Sequence, residues 1–150
     1  MGKCSFHKDL LRSKSGIRRI IKILEKNGYK FIEEHVGKEY DLKFRPPNGK
    51  RAIKIEVKED FYCARSGNVA LEFHCRGVDS GIAVSKANYY IYIIHTNKGI
   101  KRFIFKTSKI KKMIKDKKYF KTVCGGDWGS NTYNYLFKYD VFVAGGELIK

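Results

Sequence analysis

Proline, tryptophan and long apolar runs are scarce in this 150-residue chain. It has one tryptophan and two adjacent prolines, Pro46 and Pro47, and it contains no repeat or low-complexity tract. No apolar run reaches the roughly 18 residues that a membrane-spanning helix needs, and the first residues lack the apolar core of a signal peptide. We therefore expect an intracellular protein of the cytoplasm, nucleoid or nucleus, with no membrane among its partners.

Cysteines are also few and show no pattern of their own. The four cysteines have no CxxC spacing and no dense framework, so reduced thiols are expected. One zinc alternative stays open, although its spacings match no standard finger or ribbon. Its ligands would be drawn from Cys4, His7, Cys63, His74 and Cys75.

Acidic residues are outnumbered, with 15 Asp and Glu against 32 Lys and Arg, which gives a net charge of +17. All of that excess lies in residues 1–30 and 98–121, whereas the acids concentrate between Glu33 and Asp79. A basic frame of this kind favours a polyanionic partner, most often nucleic acid. An acid-bearing centre inside it suits an enzyme that places a metal ion against the polyanion.

Apolar spacing predicts a single α/β domain over residues 1–150, with 43% hydrophobic residues available for one core. A helix is expected over about residues 13–28, because the spacing i, i+3, i+4, i+7 is met by Ile17, Ile20, Ile21 and Leu24. Residues 39–60 read as a β-hairpin around Pro-Pro-Asn-Gly, and residues 68–75 as a third strand.

The rest of the chain continues this alternation. A short helix over residues 79–88 and a buried strand over 89–95 complete the order α-β-β-β-α-β for a core of about residues 15–95. A basic β-α-β extension follows over about residues 98–150. Its expected elements are a strand at 100–107, a helix at 108–118, a loop at 124–131 and a strand at 131–146.

One face of the hairpin gathers two acids and a lysine. Pairing across the turn puts Asp41 opposite Lys54, on the same strand face as the alternating residues Glu56 and Lys58. Asp41 and Glu56 are then diagonal neighbours, about 7 Å apart or less between Cβ atoms. A helix would instead separate Glu56 from Lys58 by about 200°.

Two carboxylates at this distance can share a hard divalent cation, Mg²⁺ or Mn²⁺, with the Val57 carbonyl as a further oxygen ligand. Such a cation polarises a phosphate and lowers the pKa of a bound water. Lys58 would orient that water or stabilise the charge that builds on the phosphorane. The pattern therefore predicts catalytic Asp41, Glu56 and Lys58 in a phosphodiesterase.

The same residues and element order resemble the PD-(D/E)XK nuclease superfamily, whose restriction-endonuclease-like core has a central mixed sheet flanked by helices. Asp41 matches the motif's first acid, Glu56 its (D/E) and Lys58 its lysine, while Tyr40 stands where the motif has proline. The resemblance covers about residues 15–95 and implies a Mg²⁺-dependent endonuclease acting on DNA.

The stretch "SGNVALEFHCRGVDSGIAVSKAN" resembles a segment of small phage and viral members of the superfamily. By that resemblance Glu72 joins the metal ligands and Arg76 contacts phosphate. The alternative for Glu72 is an exposed strand position that faces water. Ser80 and Lys86 lie by the short helix that borders the active site, and Ser80 is a phosphate ligand or an ordinary N-cap. Because basic members include resolvases, the resemblance also predicts branched or Holliday-junction DNA as substrate and a homodimer.

A second basic surface is expected on the helix of the extension. Its nucleic-acid-binding candidates are Lys109, Lys111, Lys112 and Lys115. The alternative function is a basic DNA- or RNA-binding protein without catalysis, in which the hairpin acids are dispensable. The sequence does not distinguish DNA from RNA.

Overall fold

The structure is a computed structural model that describes residues 3–49, 51–125 and 129–150, with side chains from residue 14 onward. Its elements, in chain order, are α1 (Lys3–Lys26), β1 (Lys30–Glu34), β2 (Leu42–Arg45), β3 (Ile53–Asp60), α2 (Cys63–Ser66), β4 (Asn68–Cys75), β5 (Val78–Asp79), a 3₁₀ turn (Gly81–Ala83), β6 (Tyr89–Thr96), β7 (Gly99–Lys106), α3 (Thr107–Lys115), β8 (Lys121–Gly125), β9 (Thr132–Lys138), α4 (Tyr139–Val143) and β10 (Glu147–Ile149).

The strands form two sheets. The larger has the order β1-β2-β3-β6-β7-β10, and the smaller has the order β5-β4-β9-β8. In the larger sheet β3 and β6 run parallel, while the other neighbours are antiparallel. The expectation of an α/β protein with a mixed sheet is therefore confirmed.

Apolar side chains cover both faces of the larger sheet. On one face, Ile20 and Leu24 of α1 pack on Leu42, Ile55 and other strand residues, as the helical spacing predicts. The opposite face buries a larger, aromatic cluster against the smaller sheet and α3. Its members include Tyr90, Tyr92, Phe105, Val69, Leu71, Ile110, Phe137 and Phe142. No helix in the described part of the chain is long and apolar enough to cross a membrane.

The hairpin register differs from the prediction by two residues. Lys54 pairs with Lys43, not with Asp41, and the ladder begins at Phe44 and Ile53. Two prolines follow β2 and supply no N–H group for pairing, so the connection is longer than a tight turn. The predicted register starts from Arg45 opposite Lys50 across the turn, and Lys50 lies outside the described residues. A shift of two preserves side-chain parity, so Asp41 stays on the predicted side.

The third predicted strand is present, but not in the predicted sheet. β4 pairs with β9 and β5 in the smaller sheet. Both edges of β3 are already occupied, by β2 on one side and β6 on the other. No ladder position on β3 is left for β4.

Three further expectations need correction. The helix expected over residues 79–88 is only the 3₁₀ turn Gly81–Ala83, because from Lys86 onward the backbone N–H groups bond elsewhere, that of Lys86 to Glu39 O. The tail over residues 131–146 is β9 followed by α4, whose Phe142 enters the aromatic cluster. β1, β5, β8 and β10 were not predicted, and β8 includes part of the expected loop.

Candidate active site

The residue just before β2 and the middle of β3 bring the three motif residues together. Glu56 and Lys58 alternate along β3 and share one face. The Asp41 N–H donates to the Ile55 carbonyl at 2.9 Å. The Val57 N–H donates to Asp41 Oδ2 at 2.7 Å. The Asp41 carboxylate is therefore held at the edge of β3, beside Glu56.

This arrangement also orients the Val57 carbonyl. Along a β-strand, the N–H and C=O of one residue point to the same side. Since the Val57 N–H meets the Asp41 carboxylate, the Val57 carbonyl points toward that side too. The predicted backbone ligand thus faces the predicted carboxylate.

Burial makes the two carboxylates costly to ionise. Glu56 is only 9% exposed. Burial raises the pKa of its carboxyl, the Lys58 ammonium opposes that shift, and the charges of Asp41 and Glu72 add to it. Burial likewise raises the pKa of Asp41, against the Val57 hydrogen bond and Lys58. Positive charge placed between these groups would therefore be strongly favoured.

Lys58 supplies part of that positive charge. Its Nζ lies 3.0 Å from Glu56 Oε1. Burial acts to lower the pKa of Lys58, but Glu56 and Asp41 outweigh it, and the net shift is upward. Lys58 is therefore a firmly protonated cation that can face a phosphate.

Several other predicted residues share a cavity with this group. The cavity has a volume of about 500 Å³ and is lined by Asp41, Glu56, Lys58, Glu72, Arg76 and Ser80. Glu72 lies on β4, so residues of both sheets line this cavity. Lys86 and the α3 lysines do not line it.

Ser80 is buried at the wall of this cavity, at 9% exposure. Its Oγ makes no hydrogen bond within the described residues and does not cap the 3₁₀ turn. Ser80 therefore occupies the N-cap position of this turn, as the N-cap alternative expects, but its side chain makes no capping hydrogen bond. The expected helix is reduced to the 3₁₀ turn Gly81–Ala83, and the Ser80 Oγ atom is itself buried.

The remaining basic candidates lie outside the cavity. Lys86 is exposed and its Nζ pairs with Glu39 Oε1 at 2.8 Å. On α3 the four candidates Lys109, Lys111, Lys112 and Lys115 are all exposed, and Lys112 Nζ is 2.6 Å from Asp116 Oδ2. They form a solvent-facing cationic surface that is separate from the cavity lining.

Tyr40, the residue before Asp41, anchors the loop that carries Asp41. Its hydroxyl donates to Glu33 Oε1 at 2.6 Å, and its ring stacks on His35 at 4.2 Å. The His35 N–H in turn donates to the Asp41 carbonyl at 2.7 Å. These three contacts fix the segment that carries Asp41.

Sequence reasoning missed several cavity residues. Lys38, Cys75 and Ser130 also line the cavity. Lys38 is an exposed loop lysine three positions before Asp41. Its closeness in sequence to a candidate metal ligand could have identified it as a residue of the site. Ser130 arrives from the connection between β8 and β9, which only the unpredicted second sheet brings here.

The residues present fit a magnesium-type cation. No three His, Cys, Asp or Glu side chains converge as a metal-binding set within the residues that the structure describes. Mg²⁺ needs no such set, because it is commonly held by one or two carboxylates with waters and substrate phosphates. Asp41, Glu56 and the Val57 carbonyl are that kind of donor set. Glu72 lines the same cavity as a further oxygen donor.

For the zinc alternative, the side chains of Cys4 and His7 lie outside the described part of the chain. Cys75 is engaged with Thr132 Oγ1 at 3.3 Å, and His74 pairs with Asp79. The remaining candidate, Cys63, is buried in the aromatic cluster. These three described candidates do not converge on one metal site.

Comparisons with protein-family models, with curated proteins and with solved structures found no match to this chain. Its function is therefore argued from the site alone.

Arg76 occupies an unusual backbone position that yields a prediction. Residues 76 and 77 form the two-residue turn between β4 and β5, with φ of 52° and 79°. Such turns favour Asn or Gly, and an arginine there is strained. Arg76→Asn should therefore leave thermal stability unchanged or higher, yet weaken DNA binding about tenfold through loss of a charged hydrogen bond.

The check is a thermal melt beside fluorescence anisotropy of a labelled oligonucleotide. Arg45→Asn, at the exposed end of β2, controls for the loss of one positive charge. Equal weakening by both substitutions would contradict a specific role for Arg76.

Proposed function

We propose that this protein is a divalent-metal-dependent endonuclease that hydrolyses phosphodiester bonds in DNA. The observation that carries the proposal is the convergence of the buried carboxylate of Glu56 and the half-buried carboxylate of Asp41 with Lys58 in one cavity. Burial of like charges side by side is costly. Lys58 offsets part of that cost, and a bound cation would offset more of it.

The sheet order supports the resemblance to PD-(D/E)XK nucleases. Within the larger sheet the chain runs α1, β1, β2, β3 and then β6, with β3 and β6 parallel. This is the order α-β-β-β-β, with α2 and the 3₁₀ turn before the last strand. β4 and β5 are then an insertion, and the motif residues lie just before β2 and within β3.

Each residue has a defined task in the proposed reaction. Asp41, Glu56 and the Val57 carbonyl would hold Mg²⁺ or Mn²⁺, which when bound lowers the pKa of water and polarises the phosphate. Lys58 would orient the attacking water and stabilise the charge on the phosphorane. The water oxygen bonds to phosphorus as the bond to the leaving oxygen breaks. The water's proton leaves to solvent, the leaving oxygen takes up a proton, and no covalent intermediate forms.

The test is cleavage of plasmid, linear duplex, single-stranded, flapped and four-way-junction DNA in Mg²⁺. EDTA and Lys58→Ala are run beside the wild type. Cleavage that both controls abolish is the expected result, and the panel also tests the predicted preference for branched DNA. Cleavage that persists in Lys58→Ala would contradict the assigned site. The homodimer stays a prediction of the resemblance.

A second candidate function is nucleic-acid binding without cleavage. The exposed lysines of α3 favour it, because they form a binding surface independent of the cavity. Tight binding with no cleavage by the wild type in Mg²⁺ or Mn²⁺ would support this alternative.

The α3 surface makes its own prediction under either function. Replacing Lys111 and Lys115 by alanine should lower the slope of log K against log salt by about 2, because two phosphate contacts are lost. Lys112→Ala should lower it by less than about 1, since Asp116 already pairs with Lys112. An unchanged slope in the double variant would remove α3 from the binding surface.

A further inference from the structure

A second cavity adjoins the candidate active site. It has a volume of about 350 Å³ and shares Lys58 and Glu72 with the first. Its other lining residues include Tyr62, Asn68 and Asn134. The Tyr62 side chain is 66% exposed, and Asn68 Oδ1 is buried with no hydrogen-bond partner among the described residues. An aromatic face and amide groups are the chemistry that receives a nucleobase.

The floor of this cavity is one face of the smaller sheet. Asn68, Ala70 and Glu72 alternate along β4, and Asn134 and Leu136 alternate along the neighbouring β9. From Glu72 to Asn68 this face runs about 13 Å, at 3.3 Å per residue. The face therefore leads directly away from the active-site cavity.

An exposed aromatic ring with two lysines beside it lies at the end of this face that is farther from the active-site cavity. Lys138 pairs with Asn68, and Lys121 pairs with Leu136, so both lysines belong to this face. The Phe120 ring is 44% exposed. The ammonium groups of Lys138 and Lys121 lie 4.5 Å and 5.8 Å from its centre. A base stacked on Phe120 would have its phosphate beside a lysine.

From these contacts we infer that this face binds an unpaired DNA strand that continues from the scissile phosphate. The "strand platform" comprises Tyr62, Asn68, Phe120, Lys121, Asn134 and Lys138. Its rings stack on bases, its amides meet base edges and its two lysines neutralise phosphates. A stacked duplex does not offer base faces to such rings. The inference rests on the proposed nuclease function and narrows its substrate to DNA with a single-stranded segment.

Binding is tested first, in EDTA, so that the result is independent of cleavage. The probes are a labelled 12-nucleotide single strand of DNA, the duplex that it forms with its complement, and an RNA strand of the same sequence. Phe120→Ala should weaken single-strand DNA binding about tenfold and change duplex binding by less than twofold. Phe120→Leu, which keeps apolar volume but removes the ring, should behave similarly, and thermal melts confirm that both variants fold.

Two further variants make the result specific. Tyr62→Ala, at the other end of the platform, should cause a comparable loss for the single strand. Ile100→Ala removes an exposed apolar side chain, 49% exposed, from another cavity and should change nothing. Equal losses on duplex and single strand, no loss in either ring variant, or binding of RNA alone would each overturn the inference.

Cleavage is then compared on blunt duplex and on duplex with a single-stranded tail, in Mg²⁺. The wild type should cut the tailed duplex faster, and Phe120→Ala should remove that advantage while still cutting blunt duplex. If the platform binds single strands but no DNA is cut, the result contradicts the nuclease proposal and supports the strand platform. If DNA is cut with no effect of Phe120, the platform fails and the nuclease stands.

Discussion

Glu56→Gln is expected to lower the rate of Mg²⁺-dependent DNA cleavage by about a thousandfold or more. Metal-assisted charge stabilisation contributes several kcal/mol to such reactions, and each 1.36 kcal/mol is about a tenfold change in rate. Glutamine keeps the shape of Glu56 but removes the charge that would hold the cation beside Asp41. The measurement is single-turnover cleavage of a labelled substrate under saturating enzyme.

The same variant should bind DNA as tightly as the wild type or more tightly. Removing a negative charge 3.0 Å from the Lys58 ammonium leaves that cation free to attract phosphate. Glu147→Gln, an exposed acid on β10 at the other end of the larger sheet, is the matched control and should cut normally. Normal cleavage by Glu56→Gln would show that the site assignment is wrong. Loss of both binding and cleavage would indicate a folding defect rather than a catalytic role.

Mn²⁺ is expected to stabilise the wild-type protein and to have little effect on Glu56→Gln. A ligand present at 100 times its Kd adds about 2.7 kcal/mol to the free energy of unfolding. For a chain of this size that corresponds to a rise in Tm of about 5–10 °C. The measurement is thermal unfolding by circular dichroism with and without MnCl₂, at matched ionic strength.

Without metal, the order of stability of the wild type and Glu56→Gln should reverse. Because burial raises the pKa of Glu56 in the folded state, its ionised form disfavours folding. That penalty is full above the raised pKa and disappears as the pH falls toward the ordinary value of 4.5. Glu56→Gln should therefore be more stable than the wild type at neutral pH in EDTA, with an advantage that shrinks as the pH is lowered.

Two outcomes would contradict this account of the carboxylates. One is a metal-free wild type that is more stable than Glu56→Gln at pH 7. The other is an equal Mn²⁺-induced rise in Tm for both proteins, which would place the cation elsewhere.

The sequence predicted the central hairpin well because its signals are local. Alternation along β3 determines which side chains share a face, so Glu56 and Lys58 were placed correctly whatever their strand paired with. The register prediction was wrong by two residues, yet Asp41 kept its side, since a strand repeats every second residue. An error of one residue would have removed it from the site.

The non-local features could not be predicted in the same way. That β4 pairs with β9, more than 60 positions along the chain, depends on β3 being enclosed by β2 and β6. The sequence of β4 itself does not indicate which strand it pairs with. Glu72 was expected in the site as a neighbour within one sheet, but it reaches the cavity from a second sheet. Phe120, Lys121 and Lys138 meet only in that sheet, so the strand platform had no sequence signal.

The central claim is that Asp41 and Glu56 hold one divalent cation. Its most direct test replaces Mg²⁺ by Fe²⁺ and adds ascorbate and peroxide, so that hydroxyl radicals cut the polypeptide next to the bound metal. Mass spectrometry then locates the cuts. The account predicts cuts near Asp41, Glu56 and Glu72 that excess Mg²⁺ suppresses and that Glu56→Gln abolishes. Cuts confined to other regions, or the same cuts in the variant, would contradict it.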